Sequence, residues 1–138
     1  MNNLQELKVN TRIVIAFLWT AMLFIFAYVD IFGFFRADVL QDALNGKVFI
    51  FEANQTFFLL ITIYILIPSL MVFLTLVLKA TIAKLANIIL SFLYIVTIAA
   101  AMVGESWWYF LLGSALEIML LLAIIIYAWT WPCIETHN

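Results

Sequence analysis

Trp107–Trp131 reads WWYFLLGSALEIMLLLAIIIYAWTW. Only Glu117 in it carries a charge, and aromatic residues close both ends. The hydrocarbon core of a bilayer is about 30 Å thick, and a helix needs about 20 apolar residues to cross it. The stretch meets that length. It does not alternate in polarity as a barrel strand must, so it reads as a membrane-crossing helix. Val, Ile and Phe are frequent, but in lipid continuous apolarity outweighs strand propensity.

Working outward, three more stretches of the same kind precede it, at about 13–35, 56–78 and 85–103. The first holds one charge, Asp30, near its end; the other two hold none. The composition agrees. The chain has 138 residues, 68% apolar and 10% charged, whereas a soluble domain runs nearer 45–50% and about 25%. A soluble monomer and a disordered chain are both excluded. A net charge of -2 argues against nucleic-acid binding, which needs a basic face. The single cysteine forms no internal disulfide, and no Cys/His cluster offers a metal site. The fold expected is all-α: one transmembrane domain over 1–138, an integral membrane antiparallel four-helix bundle with a short amphipathic helix in the first loop.

The first apolar run is longer than a signal-peptide core, and Gly33-Phe34-Phe35-Arg36 is no small-residue cleavage site, so it is read as an attached helix. Lys79 to Lys84 and Gly104-Glu105-Ser106 are short links that make sequence neighbours antiparallel neighbours. The first connection, Arg36 to Gln55, is longer. Asp38 and Gln41 read as a capping pair for a short helix. Val39, Leu40, Ala43 and Leu44 share one face of it, so it is expected to lie on the membrane surface, and Asn45-Gly46 ends it. Val48-Phe49-Ile50-Phe51 is expected to tuck, extended, against the bundle; the plainer alternative is a hairpin cap.

Basic residues near the spans set orientation. Lys8, Arg12, Lys79 and Lys84 share one side, against Arg36 and Lys47 on the other, which places both termini in the cytoplasm. Trp107, Trp108 and Tyr109 mark the outer boundary and Trp129 and Trp131 the inner one.

Glu117 stands out chemically. At about 1.5 Å per residue it lies about 15 Å below Trp107, near the bilayer centre. An acid there costs about 2.5–3.5 kcal/mol and should face the other helices in its neutral form. Gly113 and Ser114, one turn away, allow a neighbouring backbone close. Asn87, Ser91 and Tyr94 recur on one face of the third span, with Tyr94 at the depth of Glu117. Pro68 frees a carbonyl about one turn earlier, near Tyr64, and a kink there would let Ser69 meet Glu117. Tyr28 and Asp30 lie toward the outer side. The plainer reading of Glu117 is a clamp bonded to Tyr94 or Ser69. For Asn87 it is helix packing, for Asp30 reach to headgroup water or a loop cap, and for Trp19 a lipid-facing or packing group. His137, the only histidine, lies past the last span and excludes a bis-histidine haem. Cys133, at the inner boundary, reads as an inert thiol, the alternative being an acylation site. No cofactor is implied.

Leu18-Trp19, Tyr28-Val29-Asp30, Ile67-Pro68, Lys84-Leu85-Ala86-Asn87-Ile88-Ile89, Glu117-Ile118 and Ala128-Trp129-Thr130-Trp131 follow one another in fixed order. In these the chain resembles, over roughly Leu7 to Pro132, a family of small bacterial integral membrane proteins known only as a domain of unknown function. The resemblance implies four helices in a membrane and supplies no substrate. Leu66 departs from it, because relatives often carry an acid before the Ile-Pro pair. Small multidrug exporters share the physical device of one membrane acid, but theirs lies in the first helix.

Three functions compete. A polar site around Glu117, Tyr94 and Ser69 would bind or pass a small solute, proton or lipid, a dimer completing any route. A structural or accessory subunit would dock another membrane protein through Asp38–Phe51. A membrane enzyme would act on a lipid or quinone with Tyr28, Asp30 and Tyr109.

Overall fold

Asn10 starts the first helix: its side chain accepts from the backbone N–H of Arg12, which satisfies one of the donors a helix leaves free at its N-terminus. The computed structural model describes residues 6–132; Cys133 and His137 lie outside them. The helix, α1 (Thr11–Phe34), is followed by α2 (Ala37–Leu44) and a two-stranded hairpin, β1 (Lys47–Val48) and β2 (Phe51–Glu52). Then come α3 (Gln55–Val77), α4 (Ala80–Ala101) and α5 (Trp108–Trp129). Asn54 caps α3 by accepting from Phe57 N–H. The four long helices are each long and apolar enough to cross a membrane.

Each long helix turns one stripe inward at helical spacing. α1 buries Ile15, Ala16, Trp19 and Met22; α3 buries Pro68, Met71 and Thr75. α4 buries Ala83, Asn87, Ser91, Tyr94 and Ile98, and α5 buries Gly113, Ser114, Glu117, Leu121, Ile124 and Ala128. α1 packs on α3 and α5, and α4 packs on α5 and more narrowly on α3. The interior holds Thr75, Asn87, Ser91, Ser114 and Glu117, while most Phe, Leu and Ile side chains face outward. That distribution reverses the one water imposes.

Three local expectations change. Asp38 does not cap α2: its carboxylate is held by the Arg36 guanidinium, and no side chain caps that helix. Residues 48–51 are not an extended stretch laid on the bundle but a hairpin, whose Phe49 and Ile50 are exposed while the Phe51 ring stacks on Phe57 of α3. α4 begins at Ala80 rather than Leu85, because Lys84 lies within the helix and reaches Trp129 O at 3.0 Å. The stop after α2 is as read: Gly46 takes φ +72°, a conformation cheap only for glycine.

Candidate functional site

Asn87 ties three helices. Its Oδ1 accepts from Trp19 Nε1 at 2.7 Å, and its Nδ2 donates to Ala83 O at 2.8 Å and Thr75 Oγ1 at 3.2 Å. All of Trp19, Thr75 and Asn87 are fully buried. Sequence reading held Asn87 as a site candidate or a packing group and Trp19 as lipid-facing or packing; both pack, Trp19 does not face outward, and Thr75 was passed over. The signal was present, because Pro68, Met71 and Thr75 fall three and four residues apart on one stripe.

Tyr94 lies on the same stripe of α4. Its hydroxyl donates to Tyr64 O. A helical N–H bonds the carbonyl four residues back, and Pro68 has no N–H to offer Tyr64. Tyr94 supplies the missing donor from another helix. The rings of Tyr64 and Tyr94 meet at 4.6 Å, and Trp19 meets Tyr94 edge-on at 6.1 Å. Tyr64 Oη and Thr97 Oγ1 are 2.6 Å apart, and Thr97 donates back to Tyr94 O. A small cavity of about 10 Å³ remains beside Pro68, between Met22, Phe26, Tyr64 and Tyr94.

Glu117 is 2% exposed, and its Oε1 has no hydrogen-bond partner among the described residues. The two partners expected for a clamp are committed elsewhere: Tyr94 to Tyr64, and Ser69 to Ile65 O at 2.8 Å. Ser69 is exposed and does not meet Glu117. Neighbouring residues on a helix point about 100° apart, and Pro68 is the one turned inward. Ser91 Oγ is likewise buried without a partner. Gly113, one turn from Glu117, touches α1: a Cβ there would stand 2.3 Å from Val29 Cγ2. Asp30, the residue after Val29, is exposed.

Tyr28 and Tyr109 line one open groove of about 350 Å³ between α1 and α5, with Phe24, Phe32, Leu112 and Leu116. Asp30 does not line it, so the outer trio read from the sequence is not one site. The described residues contain no group of three His, Cys, Asp or Glu able to hold a metal ion.

Charged clasps close both ends. Arg36 holds Asp38 at 2.6 Å and Glu105 at 2.9 Å, and lies 4.6 Å over the Trp107 ring. The Arg36 hydrogen bond draws the Asp38 carboxyl below its ordinary range. Burial alone would raise Glu105. The bonds from Arg36 and from the backbone N–H groups of Trp107 and Ser106 outweigh it and hold Glu105 low. At the opposite end Arg12 donates to Thr75 O, Leu76 O and Leu78 O, and lies 5.3 Å over Trp131. Those carbonyls belong to the end of α3, where a cation also complements the helix dipole.

No curated protein and no solved structure matches the chain. The model of one family, described as a family of unknown function (DUF6326), matches residues 2–136. A match over nearly the whole chain agrees with the ordered motifs from Leu18-Trp19 to Trp131, and the chain belongs to that family.

Proposed function

We propose that the chain is an integral protein of the bacterial cytoplasmic membrane, crossing it four times as an antiparallel bundle with both termini in the cytoplasm. We further propose that it binds or passes a proton or a small solute at Glu117. The unpartnered carboxyl oxygen carries the reading. A buried polar group without a hydrogen bond is costly. An acid kept solely for packing would be bonded to another helix, and this one is not.

Gly113 and Ser114, one turn from Glu117 toward Arg36, are buried, and so are Ser91, Asn87 and Thr75 toward Arg12. In this reading Glu117 alternates between neutral and charged forms.

The test is proton uptake into liposomes holding the full chain and a trapped pH-sensitive dye. Wild-type vesicles should equilibrate an imposed pH step faster than empty ones, and Glu117→Gln should return the rate to that of empty vesicles. Equal rates for wild type and Glu117→Gln would overturn the proposal. A second reading, a structural or accessory subunit, is favoured by one observation: neither the α1–α5 groove nor the cavity beside Pro68 is lined by Glu117.

A further inference from the structure

The β1–β2 hairpin carries an apolar tip. Lys47 faces Glu52 and Val48 faces Phe51 across it, and Ala53 N–H donates to Gly46 O at 2.8 Å below the pair. Phe49 and Ile50 make the turn. Two-residue turns of hairpins favour Asn or Gly, because their central positions need positive φ. Here Phe49 takes φ +54°, a strained conformation for a bulky side chain. Nothing inside the chain compensates, since Phe49 is 70% and Ile50 89% exposed.

The hairpin's height is fixed. The Phe51 ring stacks on Phe57 at 5.7 Å, and Phe57 meets Phe58 edge-on. Both partners lie in the first turn of α3, a helix able to cross a membrane. The hairpin is thereby held beside the start of that crossing. Its charged pair, Lys47 and Glu52, sits at the base, and the tip carries no charge. Leu40 and Leu44 of α2 add exposed apolar surface to the same loop. A protein partner would gain little from a two-residue tip, because stable interfaces bury about 800 Å² per partner.

We infer that Phe49 and Ile50 form an anchor that enters the boundary between phospholipid headgroups and acyl chains, in the leaflet where α1 ends and α3 begins. The strained turn presents two large apolar side chains to that boundary, while Lys47 and Glu52 stay in the headgroup water. The inference rests on the four-crossing part of the proposed function and is independent of Glu117.

The test uses the full chain with Cys133→Ser, in nanodiscs of phosphatidylcholine and phosphatidylglycerol. A bimane probe is attached in turn at Ile50→Cys, Lys47→Cys and Leu66→Cys, the last exposed at the midpoint of α3. Quenchers are a lipid with a nitroxide near its headgroup, a lipid with a deep nitroxide, and aqueous iodide. At Ile50 the shallow nitroxide should lower emission about twofold while iodide leaves it nearly unchanged; at Lys47 the order should reverse. Iodide quenching at Ile50 equal to that at Lys47 would overturn the anchor. So would protection of Ile50 from every quencher, which means a protein surface covers the tip. Leu66 separates the two failures: if the deep nitroxide does not reach it, the membrane crossing itself is wrong.

Discussion

The hydroxyl of Tyr94 donates to the carbonyl of Tyr64, the group that Pro68 leaves without its helical donor. A proline inside a crossing helix opens a polar gap, and a side chain of a neighbouring helix closes it. Tyr94→Phe should therefore lower stability by about 1 kcal/mol, within the range of interhelical hydrogen bonds in membranes. In a Pro68→Ala background the restored N–H should cancel most of that loss. Reversible unfolding in mixed micelles, run as a double-mutant cycle, reads the coupling directly. Equal losses in both backgrounds would show that the hydroxyl acts elsewhere.

Removing the Asn87 side chain should cost more, because it leaves Trp19 Nε1 buried and alone. We expect Asn87→Leu to lose about 1–2 kcal/mol. The Trp19 indole proton should also move upfield in the NMR spectrum as its acceptor disappears. An unchanged indole resonance would contradict the observed bond.

Glu117 should behave in the opposite sense. A buried carboxyl without a partner weakens the fold, so Glu117→Leu should be neutral or stabilising by about 1 kcal/mol. The same substitution should abolish the proton uptake proposed above. A marked loss of stability would indicate a bonded, structural acid.

The contact of α1 with α5 depends on Gly113. Gly113→Ala places a methyl 2.3 Å from Val29 Cγ2, and such overpacking costs about 1–3 kcal/mol. Val29→Ala should recover part of it in the double variant. Gly33→Ala should be milder, since the nearest atom, Tyr109 Oη, is 3.3 Å away and belongs to a side chain that can shift.

Acid should loosen the Arg36 clasp. Asp38 and Glu105 both titrate lower in the folded chain than when free. Their contribution is therefore present above the ordinary carboxylate range, about pH 4, and is lost as pH falls through their lowered values. Thermal unfolding in detergent should show a drop below about pH 4 that is smaller in Arg36→Gln. Identical acid profiles for the two proteins would remove the clasp from the stability balance.

Much of the architecture was legible because hydropathy reports it directly. An uninterrupted apolar run has few alternatives to a long helix, and the four runs reappear as α1, α3, α4 and α5. What hydropathy hides is the direction of each side chain. Ser69 was expected to meet Glu117 beside Pro68, and Thr62 lies on the same face of α3. Each instead bonds the carbonyl four residues back on its own helix, at Phe58 and Ile65, which lets a hydroxyl sit on an exposed face. The freed carbonyl near Tyr64 and the inward tyrosine at 94 were both readable. Their meeting was not, because it depends on how α3 and α4 are set against each other. Glu117 was visible as an anomaly from composition alone. Its lack of a partner is a property of the packed helices.

Arg12 and Lys84, read from the sequence as signals of orientation, both end on backbone oxygens: Arg12 at the close of α3 and Lys84 on Trp129 at the close of α5. The residues whose charge carries the proposed orientation are thus the same ones that fasten the ends of two helices. A variant built to invert the protein by neutralising these cations would also unfasten two helix ends. Misrouting and misfolding would arrive together, and a topology experiment on this chain must add new positive charge elsewhere rather than take these two away.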